Sequence, residues 1–215
     1  MNVILKENLV YKHFQVNVWL YIFSSICLCT GIVFGVYAVK YMDSGQKSIL
    51  LSYVSNITRA SSQDNIQILF QAIKNNVLTI IIVWVLGLTM IGLPIILLMD
   101  LVKGFSLGFT IAFFINGMGV KGIWLSLLSL LPQNIIYIPC IIVASVISMK
   151  FSIMLMHNYG KNQWTTSLLK NLLVYSCTFI LIFFIMFIGF SFEAFLSPKA
   201  VKLFSYILGS GIIEI

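Results

Sequence analysis

The chain has 215 residues, of which 60% are hydrophobic and only 9% charged, against about 25% charged in a typical soluble domain. A soluble fold of this size cannot cover so much apolar surface, so the composition excludes a soluble enzyme or binding module and places the chain in a membrane. Thirteen Lys and Arg against six Asp and Glu leave a net charge of +7, but the cations are scattered over loops and helix ends, which suits topology and anionic headgroups rather than nucleic acid.

Residues 1–18 carry Lys6, Lys12 and His13, with Ile4, Leu5, Leu9 and Val16 near helical spacing, and read as a short interfacial helix. A first span follows near 19–39, about 21 residues long, enough to cross and too long for a signal-peptide core, so an uncleaved anchor is expected. Trp19 and Tyr21 at one end and Tyr37 and Tyr41 at the other suit the two aromatic belts. Gly31 and Gly35 form G-x-x-x-G, which lets another helix approach closely, either within the chain or from a partner.

Residues 40–76 form the longest polar region and read as one or two short helices on the membrane surface. Ile49, Leu50, Tyr53, Val54 and Ile57 share one face, and Ile66, Leu69, Phe70 and Ile73 another. Asp43-Ser44-Gly45 and Ser61-Ser62-Gln63-Asp64-Asn65 supply turn and cap signals.

From Gly87 to Ile147 the chain is almost wholly apolar, yet Pro94, Pro132, Pro139 and seven glycines interrupt it. Proline and glycine at membrane depth need neighbouring helices to re-satisfy freed backbone groups, so this stretch reads as the packed centre of the fold. A second span is expected near 77–99, kinked at Pro94. Asp100 and Lys103 come next, at the spacing of an i,i+3 pair; they read either as a short loop among headgroups or as an ion pair in a membrane cavity. The third apolar segment, near 101–116, has a core from Phe105 to Ile115 of roughly 16 Å as a helix, or about 22 Å counted from Leu101. Against a hydrocarbon core of about 30 Å, that is a short crossing or a re-entrant segment. Gly104 and Gly108 within it form a second G-x-x-x-G.

A fourth span, near 123–149, holds Pro132 and Pro139 seven residues apart on nearly one face, with Gln133, Asn134 and Tyr137 as a small polar patch. The patch can glue helices together or line a substrate path. Residues 150–170 read as a polar loop with lysines and no carboxylate, and a last span is expected near 172–192. Ser197-Pro198 then reads as the start of a short amphipathic helix, 197–209. The fold class is therefore all-α: a polytopic helical membrane protein of about five transmembrane helices, one short or re-entrant, with short interfacial helices.

Chemistry has little to work with. The six carboxylates, Glu7, Asp43, Asp64, Asp100, Glu193 and Glu214, are scattered, and no nucleophile elbow, P-loop, zinc-protease or dinucleotide motif occurs. Four cysteines lie inside apolar runs with no C-x-x-C, and His13 and His157 are far apart, so neither a metal site nor a cofactor is expected. Three classes remain: a scaffold, a small transporter or channel with its polar site around Asp100/Lys103 and Gln133/Asn134/Tyr137, and, least fitting, an intramembrane enzyme.

The order of these features resembles the stage II sporulation protein M family over nearly the whole chain. The likeness lies in Lys12–Phe23, in Thr30–Gly35, and in Gly92-Leu93-Pro94. It continues through Lys103–Phe109 and through Leu131-Pro132-Gln133-Asn134 with Tyr137-Ile138-Pro139. The resemblance implies a non-enzymatic multi-pass protein of the bacterial cell membrane, at the sporulation septum and engulfing membrane. It also implies partners: stage II sporulation proteins D and P, which degrade peptidoglycan and would be recruited and localised by this chain.

Overall fold

A helix is the one open structure that satisfies its whole backbone within lipid. The computed structural model describes residues 15–43, Gly45, 65–158 and 164–209, and among them the regular elements are helices alone. In chain order they are α1 (Val18–Lys40), α2 (Asn65–Gly87), α3 (Gly92–Met118), α4 (Val120–Asn158) and α5 (Trp164–Gly209). The protein is thus an all-α, polytopic membrane protein. Stretches of α1, α3, α4 and α5 are long and apolar enough to cross a bilayer, and α2 contributes a shorter apolar stretch, Asn76–Gly87.

The direction of each pass follows from which residues meet. Ser24 bonds Asp100, Gly104 lies against Leu28 and Gly108 against Ile32, so α1 and α3 advance together as parallel neighbours. Parallel neighbours need a return path between them, and α2, 23 residues and about 34 Å long, runs in that direction. Ser148 of α4 meets Val83 and Ser152 meets Thr89, so α2 and α4 run the same way. On α5, Tyr175 meets Ser148 while Gly189 meets Tyr137, which sets α5 antiparallel to α4. The five helices thus alternate in direction along the chain, and four of them hold stretches long and apolar enough to cross. The core fills the space between α2, α4 and α5, with Ile80, Val83, Ala144, Met149, Tyr175, Phe179, Met186 and Phe190 all buried.

The structure redraws the middle of the chain. Instead of a span over 77–99 kinked at Pro94, the chain breaks at Leu88–Ile91, and one helix of 27 residues runs from Gly92 to Met118. Pro94 is the third residue of that helix, where a backbone N–H has no intrahelical partner, so the proline opens the helix without kinking it. The tight turn needs Gly92, because a Cβ there would run into the carbonyl of Leu86. Asp100 and Lys103 consequently lie inside a membrane helix, not in a headgroup loop. The stretch 105–115 is the second half of a full crossing, not a re-entrant segment, since Gly92–Gly117 gives 26 residues and about 39 Å.

Pro132 and Pro139 sit inside α4 without ending it, and α4 continues past Lys150 to Asn158, so the polar loop is far shorter than 150–170. α5 likewise runs unbroken through Ser197-Pro198 to Gly209, so 197–209 is not a separate helix. A single proline removes one backbone bond, and the ladder on either side persists. The amphipathic segment at 66–73 runs directly into the rest of α2. The expected interfacial helix over 1–18 falls almost entirely outside the described residues, as does the surface helix at 49–57.

Candidate functional site

The face that α1 turns inward is Ser24, Leu28, Gly31, Gly35 and Val39, one residue or two per turn along a single stripe. The two glycine pairs meet across this stripe. A Cβ on Gly31 would overlap the carbonyl of Leu101, and one on Gly35 that of Phe105. From the other side, Gly104 abuts the carbonyl of Leu28 and Gly108 that of Ile32. Backbone therefore packs on backbone, the approach that small-xxx-small pairs allow. The Gly31/Gly35 face is occupied within the chain and offers nothing to a partner.

One turn before Gly104 this close contact delivers Asp100 into the bundle. Its side chain is completely buried. Ser24 of α1 donates to its Oδ2 at 2.6 Å, and Ser145 of α4 donates to its Oδ1, also at 2.6 Å. Asp100 is eight residues from the start of α3, about 12 Å along the axis, well inside lipid depth. A carboxyl at that depth costs several kcal/mol unless it is hydrogen-bonded. Two hydroxyls from two other helices supply those bonds, so a single side chain ties α1, α3 and α4 at one point. Lys103 lies one turn further on and is half-buried.

A second set of hydroxyls closes the break between α2 and α3. The last carbonyls of a helix have no intrahelical partner and must be met by something else. Ser148 donates to Val83 O at 3.0 Å and Tyr175 Oη donates to Trp84 O at 2.8 Å. The backbone of Leu88 meets Val85, while Thr89 meets Leu86 with both its N–H and its hydroxyl. Ser152 then donates to Thr89 O at 2.7 Å. Stacking of Tyr175 on Phe151, with ring centroids 4.4 Å apart, holds the phenol in place.

The remaining sequence candidates do not join Asp100. Asn134 donates to Leu130 O in its own helix at 2.7 Å and lines an apolar groove of about 270 Å³ with Ile32, Leu107, Ile111 and Ile138. Tyr137 turns the other way, its ring 5.6 Å from that of Phe190 and packed beside Gly189. Tyr137 and Ser145 are eight residues apart on α4, roughly 12 Å along its axis. Pro132 and Gln133 are half-buried on α4, and Pro139 is exposed. No polar site forms from Asp100, Gln133, Asn134 and Tyr137 together. Among the described residues, no three His, Cys, Asp or Glu side chains gather closely enough to hold a metal ion.

The family described as stage II sporulation protein M matches residues 24–198, most of the chain and all of the hydroxyl–carboxylate contacts above. The chain belongs to that family. It is a sporulation-related membrane protein. Comparison with curated proteins and with solved structures gives no match.

In this member of the stage II sporulation protein M family, five of the residues that organise the site escape sequence reasoning: Ser24, Ser145, Ser148, Ser152 and Tyr175. Four of them carried a readable signal. Ser145, Ser148 and Ser152 recur at i, i+3 and i+7, one face of a helix that is otherwise apolar. Ser24 precedes Gly31 by seven residues and shares its stripe. Small hydroxyl residues on one face of a membrane helix mark contacts between helices.

Proposed function

We propose that this protein is a non-enzymatic scaffold of the sporulation engulfment machinery, recruiting and localising peptidoglycan-degrading partners at the septum. The partners we assign to it are stage II sporulation proteins D and P. The observation that carries the reading is the state of Asp100, the one carboxylate within the apolar spanning stretches of the described residues. Both its oxygens accept hydrogen bonds from serines of neighbouring helices, so its chemistry is spent on holding the bundle together. Glycoside hydrolysis uses two carboxylates flanking one substrate bond, and a transport site needs polar groups that converge on a cavity. Asp100 has two serine partners instead and does not line the groove beside Asn134. The C-terminal ends of α1 and α5 lie on the same side of the membrane, since the two helices point the same way. They are the natural contacts for partners.

Purified protein in detergent, incubated with sporulation-septum peptidoglycan, should release no fragments alone, and adding both partners should restore release. Cleavage by the chain unaided would refute the scaffold reading.

A further inference from the structure

Three lysines and a histidine lie between 150 and 170, Lys150, His157, Lys161 and Lys170, and no carboxylate lies there. The helices place three of them at one end of the bundle. Lys150 and His157 are seven residues apart, on the same exposed face of α4 near its C-terminal end. Lys170 is exposed near the start of α5, next to Asn171, whose Nδ2 reaches the sulfur of Met154 at 3.6 Å. That contact and the stacking of Phe151 on Tyr175 fix the α4–α5 crossing at the level of all three.

None of the three makes a hydrogen bond or ion pair within the described residues. The same end of the bundle carries the turn Leu88–Ile91, which holds no charge. Asp100, the nearest carboxylate among the described residues, is wholly buried and taken by Ser24 and Ser145. Exposed apolar side chains lie among these residues: Ile153 and Met156 between Lys150 and His157 on α4, and Leu169 and Leu173 on either side of Lys170 on α5. Lysines interleaved with exposed apolar side chains, with no carboxylate beside them among the described residues, are complementary to an anionic headgroup flanked by its acyl chains.

We propose that the outer surface of the α4–α5 end binds an anionic phospholipid. Its phosphate is engaged by Lys150, His157 and Lys170, and its chains lie along the exposed apolar residues. Such a site favours membrane regions enriched in anionic lipid and is independent of the scaffold reading.

The test is native mass spectrometry of the full-length protein released from nanodiscs of equal phosphatidylglycerol and phosphatidylcholine. The expected result is preferential retention of phosphatidylglycerol, falling about fivefold for each lysine removed in Lys150→Gln and Lys170→Gln. The Lys150→Arg/Lys170→Arg variant should keep the preference, as should Lys74→Gln, which removes a lysine toward the opposite end. Equal retention of the two lipids by the unmodified protein would overturn the proposal, and so would an unchanged preference in the double Gln variant. Glycerol 3-phosphate should not displace the lipid; if it does so at comparable concentration, the site reads free phosphate and the lipid assignment fails.

Discussion

Replacing Asp100 by Ala tests the three-helix clasp most sharply. The bundle would lose two interhelical bonds of 2.6 Å, one to Ser24 and one to Ser145. Side-chain hydrogen bonds between membrane helices are worth about 0.6 kcal/mol on average and about 1.7 at most. The pair therefore contributes roughly 1–3 kcal/mol to association of the inserted helices. The stranded serines recover part of the loss by bonding to their own helices, as Thr30, Thr110 and Thr178 already do to the residue four before them. The membrane reference matters to the sign: separated from the bundle, α3 would still hold Asp100 at lipid depth, so docking relieves its desolvation rather than causing it. Asp100→Asn keeps an acceptor for one serine and should cost less than Asp100→Ala. Reversible unfolding in mixed micelles with rising dodecyl sulfate reads these differences. A double-mutant cycle of Ser24→Ala with Asp100→Ala isolates the bond, and a coupling of about 1 kcal/mol is expected. Fully additive losses, or an Asp100→Ala protein as stable as the parent, would refute the clasp.

Two further substitutions probe the contacts around it. Gly104→Ala puts a methyl against the carbonyl of Leu28, where backbone cannot yield as a side chain would; a loss of about 2 kcal/mol or more in the same unfolding assay is expected. A tolerated alanine there would mean that α1 and α3 are not in backbone contact. Tyr175→Phe removes the hydroxyl that caps Trp84 O and contacts Ser148. A loss of about 1 kcal/mol is expected, with faster amide exchange confined to the end of α2 and the turn after it; uniform exchange would contradict the capping role.

The membrane class and the glycine pairs were legible because each rests on local pattern: apolar runs of crossing length, and two small residues four apart. What the sequence hid was the position of the break. Proline and an adjacent charge pair are the usual marks of a helix end, and both pointed to the region of 94–103. Pro94 in fact opens a helix, where its missing N–H costs nothing, and Asp100 continues it because serines 76 and 45 residues away meet its two oxygens. No local window contains that information. The polar patch at Gln133, Asn134 and Tyr137 shows the converse: close in sequence, Asn134 and Tyr137 face different neighbours, the groove beside α1 and α3 and the rings of α5. Ser145, Ser148 and Ser152 were visible as a face, yet what they bond to depends on where α2 ends.

The scaffold role is tested most directly by where its partners go. Fluorescent fusions of stage II sporulation proteins D and P are followed in sporulating cells with the chain present, and with it deleted. A scaffold predicts both fusions concentrated at the septum when the chain is present, and dispersed around the membrane, with engulfment stalled, when it is absent. Partners that still gather at the septum without the chain would contradict it.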